Sequence, residues 1–83
     1  MNHNYWKNKY EVDFVYDDSL RVIPIEVKYK EHTTNAEIKG LVEFMEMEGL
    51  NLGIVVTKDR FKREEFDGHR ILFIPIWLFL LVM

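Results

Sequence analysis

Residues 11–29, EVDFVYDDSLRVIPIEVKY, decide the fold of this 83-residue chain. Residues 11–16 place three apolar side chains on one strand face, and residues 20–29 are rich in β-branched side chains, so each run is typical of a β-strand. The Asp17-Asp18-Ser19 cluster between them is a turn signal. The stretch therefore predicts a β-hairpin.

An amphipathic helix is predicted next along the chain. Thr34 and Glu37 have the spacing of a capping box, in which each side chain binds a free backbone N–H of the first turn. Apolar residues then recur at i, i+3, i+4 and i+7 over residues 38–45. Gly49 is suited to end the helix in the left-handed conformation.

The remaining segments supply further strands. Residues 51–57 and 70–74 are apolar runs of strand length, and residues 5–7 are compatible with an edge strand. Residues 58–68 form a charged connection with room for a short helix, and the tail from Pro75 is either a short buried helix or a strand. This order predicts one α/β domain over residues 1–83, with a mixed sheet, flanking helices and a right-handed crossover.

Composition favours a cytoplasmic protein outside the membrane. There is no cysteine, which excludes disulfides and thiolate metal sites and fits a reducing cytosol. The longest apolar stretch, residues 71–83, is broken by Pro75 and is shorter than the roughly 20 residues of a spanning helix.

The net charge of −3 argues against an obviously basic nucleic-acid-binding protein. Clustered cations leave two possibilities open, a basic surface if the fold gathers them on one face, or a solvated mixture of signs. The candidate nucleic-acid-binding residues are Lys7, Lys9, Lys30, Lys58, Arg60, Lys62 and Arg63.

Two charged residues interrupt the apolar second strand of the hairpin. Glu26 and Lys28 are two residues apart, so their side chains point to the same face of the strand. Charged groups on a buried sheet face are costly. We therefore expect this face to border a solvent-reached cleft or to bind a ligand.

The hairpin turn decides whether Asp13 joins that pair. A two-residue turn within residues 17–19 pairs position 13 with position 22 or 24, both on the face of Glu26, and places Asp13 diagonally from Glu26. A three-residue loop would put Asp13 on the other face. The two-residue turn therefore predicts an acidic pair beside a lysine.

These residue types suit phosphodiester hydrolysis. Two carboxylates with waters and a substrate phosphate are typical ligands of Mg²⁺, and Mn²⁺ can replace it. Asp13 and Glu26 are the predicted ligands, with Glu11 a further candidate on the face of Asp13. Lys28 is placed to orient the attacking water or to stabilise the transition state. An ion-paired, solvated strand face is the non-functional alternative.

The runs EVDFV (residues 11–15) and PIEVKY (residues 24–29) resemble the D…ExK motif of the PD-(D/E)XK nuclease superfamily. Together with residues 5–7 and the closing IPIWLFL, they look like the nuclease-like C-terminal domain of prokaryotic, notably archaeal, AAA-type ATPases. The resemblance implies the restriction-endonuclease-like fold of archaeal Holliday-junction resolvases. It also implies that Asp13, Glu26 and Lys28 are the catalytic residues of a Mg²⁺-dependent DNA endonuclease.

Two departures from the family pattern shape the expectation. The helix that normally precedes the first strand is missing, and no GxxxxGK[ST] phosphate loop occurs, so we expect an N-terminally truncated domain without its ATPase portion. The alternative function is a catalytically idle nuclease-fold module for binding or assembly, with an ATPase as a candidate partner. Because the expected core covers its own apolar surface poorly, a homodimer is also expected.

Overall fold

The computed structural model of the chain describes residues 2–4, 12–28 and 35–82. The strands are β1 (Asn2–Asn4), β2 (Phe14–Asp17), β3 (Val22–Val27), β4 (Leu52–Thr57), β5 (Lys62–Phe66) and β6 (His69–Pro75), and the helices are α1 (Asn35–Glu48) and α2 (Ile76–Val82).

The strands form one six-stranded mixed sheet in the order β1-β2-β3-β4-β6-β5. β3, β4 and β6 run parallel, while β1, β2 and β5 are antiparallel to their neighbours. α1 carries the crossover between the parallel strands β3 and β4. The predicted α/β fold, a mixed sheet with flanking helices, is confirmed.

Each face of the sheet packs against one helix. On the first face, α1 buries its apolar stripe against β2, β4 and β6, in a cluster of Val12, Val15, Ile38, Leu41, Val42, Phe44, Met45, Val55, Ile71 and Phe73. On the second face, Ile76 and Phe79 of α2 pack against Ile23, Ile25 and Val56. We call these surfaces the α1 face and the α2 face.

The packing of α1 depends on a glycine in β4. A Cβ atom placed on Gly53 would lie 2.8 Å from the Met45 Sδ and 3.4 Å from side-chain carbons of Leu41 and Ile71. The missing side chain therefore lets the helix approach the sheet closely. At the end of the helix, Gly49 has a φ of 69°, the left-handed conformation that the sequence predicts there.

Two segments differ from the predictions. Residues 58–68 hold no helix, because they contain β5, which turns through Asp67-Gly68 into β6. The tail after Pro75 is a helix as one alternative had it, but α2 contains no buried residue. The edge strand predicted at residues 5–7 lies outside the described residues, and the edge strands that the structure shows are β1 and β5.

Within the described ranges 2–4, 12–28 and 35–82, neither helix has the length and apolar character required to cross a membrane.

Candidate functional site

The hairpin register places Asp13 and Glu26 side by side. Asp17 pairs with Val22, so residues 18–21 form a four-residue loop, and the predicted two-residue turn is wrong. Phe14 pairs with Ile25, and continuing this antiparallel register by one residue sets Asp13 directly opposite Glu26. The loop still has an even number of residues, so Asp13 lies on the predicted face of the sheet. It is directly opposite Glu26, whereas the prediction placed it diagonally from Glu26.

Aspartate side chains set the length of this loop. The Asp18 Oδ1 accepts hydrogen bonds from the backbone N–H groups of Leu20 (3.0 Å) and Arg21 (2.8 Å), and the Asp17 Oδ1 accepts from Ser19 N–H (2.9 Å). The backbone N–H groups of Arg21 and, second, Leu20 lower the pKa of Asp18. These local hydrogen bonds replace those that the backbone would make between the two strands, so the strand pairing ends at Asp17.

The carboxyl group of Glu26 is buried on the α1 face of the sheet. Only 4% of the residue is exposed, although Glu26 lies near the carboxyl end of β3. Its carboxyl is hydrogen-bonded to the half-buried Asp13 side chain. The Asp13 Oδ2 also accepts a hydrogen bond of 2.8 Å from the backbone N–H of Val27. The side-chain pattern identified both acids, but it carries no signal for this backbone donor.

The pKa of the Glu26 carboxyl is raised from 4.5 to about 8, chiefly because the group is buried. The side-chain hydrogen bond to Asp13 and the repulsion between the two carboxyl groups contribute to this rise, while the positive charge of Lys28 and a hydrogen bond from the Asp13 backbone oppose it. Near pH 7, Glu26 is therefore mostly protonated, and its O–H donates a hydrogen bond to the side chain of Asp13.

Lys28 borders the acidic pair at the end of β3. Its backbone N–H donates to the Val56 carbonyl over 2.8 Å, which extends the parallel β3–β4 ladder by one residue. Because Lys28 follows Glu26 by two residues, its half-buried side chain is on the same face. The structure thus brings together the three predicted catalytic residues.

The acidic pair has the chemistry of a hard-cation site. Directly opposite residues of antiparallel strands have Cβ atoms about 4.5–5.5 Å apart, so two carboxylates can reach one ion. Mg²⁺ takes one or two protein carboxylates and fills its other positions with waters or phosphate. Among the described residues no group of three or more candidate ligands occurs, and Glu11 lies outside them. Asp13 and Glu26 therefore fit Mg²⁺ as a two-carboxylate site.

The described basic residues do not share one face. Lys58 follows β4 directly and is exposed, and Arg60 is half-buried in the same loop. Lys62 and Arg63 are consecutive in β5, so their side chains point to opposite faces. Lys62 also forms an ion pair, with its Nζ 2.6 Å from the Glu64 Oε2. The candidates Lys7, Lys9 and Lys30 lie outside the described residues.

Comparisons with known proteins give a family. No curated protein and no solved structure matches the chain significantly. The family described as "Domain of unknown function (DUF4143)" matches residues 1–79, nearly the whole sequence. The chain therefore belongs to the DUF4143 family.

Proposed function

We propose that this domain is a Mg²⁺-dependent DNA endonuclease or resolvase-like phosphodiesterase. The observation that carries the proposal is the buried Glu26 carboxyl beside the half-buried Asp13 that precedes β2, with Lys28 close enough to affect the Glu26 carboxyl. A strongly raised pKa caused by burial and a specific charged partner is more common at functional sites than on structural surfaces. The resemblance to PD-(D/E)XK nucleases supports the same assignment.

Each residue has a distinct proposed role. Asp13 and Glu26 would hold the metal ion, and Glu26 would have to be deprotonated to do so, since ligating carboxylates carry no proton. Such an ion would supply a water of lowered pKa and offset charge on the phosphate. Lys28 would orient the attacking water or stabilise the charged transition state. Asp13 remains fixed by the Val27 N–H, which holds its carboxylate opposite Glu26.

Nicking of supercoiled plasmid DNA tests the activity. Wild-type protein should relax the plasmid with Mg²⁺ or Mn²⁺ and not with EDTA. Glu26→Gln should abolish nicking, since an amide replaces the metal-binding carboxylate, while Glu46→Gln on the exposed side of α1 should nick like wild type. Equal nicking by wild type and Glu26→Gln would show that a contaminant or another site cuts the DNA.

Calorimetry tests the metal site separately from turnover. Mn²⁺ titrated into wild type should give a saturable heat, with affinity on the micromolar to millimolar scale expected for two carboxylates. Asp13→Ala should remove that heat. The same heat from both proteins would place the ion elsewhere.

The second candidate is a nuclease-fold binding module without turnover, with an ATPase as its candidate partner, as the resemblance to ATPase C-terminal domains suggests. This function is favoured because a protonated Glu26 and Asp13 satisfy each other's hydrogen-bonding groups without an ion. A folded wild-type protein that binds DNA or Mn²⁺ yet never cuts duplex, branched or single-stranded DNA would favour this function.

The proposed setting is a homodimer in the cytoplasm. The support for self-association is α2, whose seven residues are all apolar and none of which is buried. A helix that is apolar on every side is normally covered. Large exposed side chains on this helix are Trp77, Leu80, Leu81 and Val82.

A further inference from the structure

A threonine at the carboxyl end of β4 fixes a short basic loop beside the acidic pair. Thr57 is only 3% exposed. Its Oγ1 donates to the Arg60 carbonyl and accepts from the Arg60 backbone N–H, each over 2.9 Å. Both hydrogen-bonding roles of the hydroxyl are therefore used to close residues 57–60 into a defined turn.

The register places this loop next to Lys28. Val27 pairs with Val56, so continuing the parallel register by one residue pairs Lys28 with Thr57 on the same face of the sheet. Neighbouring strands are about 4.8 Å apart. The loop thus begins one strand away from Lys28, at the edge where the parallel strands β3 and β4 end and where ligands of open α/β sheets commonly bind.

We propose that Thr57 is a positioning residue that holds Lys58 and Arg60 against phosphates of the bound DNA strand, next to the phosphate at Asp13 and Glu26. The inference rests on the proposed nuclease function and adds a substrate-backbone subsite to it. The buried hydroxyl fixes the backbone from which both cations extend, which lowers the entropy lost on binding. The loop also contains the exposed Asp59, so its net charge is +1.

The two cations of β5 lie outside the turn that Thr57 closes. The Lys62 Nζ forms an ion pair with Glu64 and lies 5.2 Å from the centroid of the Phe73 ring. Arg63 is exposed, but its side chain is on the opposite face from Lys62. Arg63 is therefore the matched control, a nearby cation that should not contact the same DNA strand.

The alternative is that Thr57 only stabilises the turn. Thr57→Val removes both hydrogen bonds and keeps the shape of the side chain, whereas Thr57→Ser keeps the hydroxyl. A purely structural role predicts a loss of stability in Thr57→Val with no change in DNA affinity per folded molecule. A positioning role predicts a change in affinity that Thr57→Ser does not show.

Fluorescence anisotropy in EDTA measures binding of a labelled DNA duplex and a labelled DNA junction over a series of KCl concentrations. Arg60→Ala and Thr57→Val should each weaken binding roughly tenfold, the scale of one charge-assisted hydrogen bond. Each should also reduce the slope of log K against log salt by about one phosphate contact. Thr57→Ser and Arg63→Ala should keep the wild-type affinity and slope.

The double variant makes the coupling explicit. Because Thr57 acts in part through Arg60, combining Thr57→Val with Arg60→Ala should weaken binding by less than the product of the two single effects. In Mg²⁺, Thr57→Val should raise the KM for plasmid nicking and leave kcat unchanged, since it does not touch the reacting phosphate.

The outcomes separate this inference from the proposed function. Wild type that cuts DNA, with Thr57→Val and Arg60→Ala matching it in affinity, salt slope and KM, would overturn the subsite and leave the nuclease assignment intact. Wild type that neither binds nor cuts DNA would overturn the nuclease assignment and the subsite with it. Circular dichroism of each variant confirms that the compared proteins are folded.

Discussion

Glu26→Gln should stabilise the protein above neutral pH, although it removes a charged residue. Glutamine has the shape of a protonated glutamic acid and can donate an N–H to Asp13 as the acid donates its O–H. It cannot ionise. The substitution therefore keeps the contacts of Glu26 near pH 5 and removes the charge that burial disfavours near pH 9.

The size and sign of the effect follow from the raised pKa of Glu26. Between pH 4.5 and about 8, the folded chain holds a proton on Glu26 that the unfolded chain has released. Stability then falls as pH rises through that window, because the folded state binds more protons. At about 1.4 kcal/mol per pH unit, ionising Glu26 in the folded chain costs on the order of 3–5 kcal/mol. That is a large part of the roughly 5–15 kcal/mol that holds a domain together.

Urea unfolding followed by circular dichroism measures this cost. In EDTA, wild type should lose on the order of 3–5 kcal/mol between about pH 5 and about pH 9, while Glu26→Gln should lose much less. Glu46→Gln, at an exposed position of α1, should follow wild type. The lowered pKa of Asp18 acts in a separate window, since its contribution is lost only as the pH falls below 3.8.

Metal ions extend the same experiment. Near pH 9, Mg²⁺ should restore stability to wild type in proportion to ln(1 + [Mg²⁺]/Kd), because it binds the ionised pair only in the folded state. It should have no such effect on Glu26→Gln. A wild-type stability that is flat between about pH 5 and about pH 9, or that falls equally in Glu26→Gln, would refute the account of a buried, protonated Glu26.

Three further predictions concern other parts of the molecule. Lys28→Ala should keep Mn²⁺ binding by calorimetry but lower plasmid nicking by about 10²-fold or more, and unchanged nicking would remove Lys28 from the site. Gly53→Ala should destabilise the chain by about 1–3 kcal/mol in urea, because its Cβ would lie 2.8 Å from the Met45 Sδ, and an unchanged midpoint would show that Met45 moves aside freely. Sedimentation equilibrium should show a dimer that Trp77→Glu converts to the 10.1 kDa monomer, whereas a folded wild-type monomer would contradict the homodimer.

The face of Asp13 could be predicted from sequence, while its exact partner could not. The side chains of a strand alternate, so any hairpin loop with an even number of residues sets Asp13 on the face of Glu26. The loop length depends on which backbone N–H groups donate hydrogen bonds to the side chains of Asp17 and Asp18. The four-residue loop pairs Asp13 with Glu26, whereas a two-residue turn would pair it with position 22 or 24. A change of loop length by two residues therefore leaves Asp13 on the same face of the sheet but gives it a different partner on the next strand.

β5 was missed because its side chains carry no strand pattern. Lys62 to Glu65 are all charged, as is common at the edge of a sheet, where charge discourages pairing with another chain. A signal was nevertheless present. Asp67-Gly68 has positive φ at both residues, 51° and 83°, and Asp-Gly between two runs is a strong hairpin indicator. The turn chemistry would have identified the hairpin that hydrophobic periodicity did not.

The protonation state of Glu26 could not be predicted from the sequence, for a different reason. A charged side chain on a buried face was expected either to reach solvent or to bind a ligand. The structure uses a third solution, in which burial and Asp13 keep the carboxyl protonated. The pKa of a group depends on which elements cover it, and this follows from tertiary packing that no pattern along one strand encodes.

Stability alone gives little reason to keep an ionisable group at this position. A buried acid that must be protonated costs free energy at every pH above its ordinary pKa, and an apolar or amide side chain of similar volume avoids that cost. Glu26 differs from such replacements in one property, the ability to become a carboxylate when a cation arrives. The Asp13 side chain is held beside it by a hydrogen bond from the Val27 N–H. The features that make the pair a poor stabiliser are therefore those that a cation site requires, and this is the physical reason for preferring the metal-dependent function to the idle module.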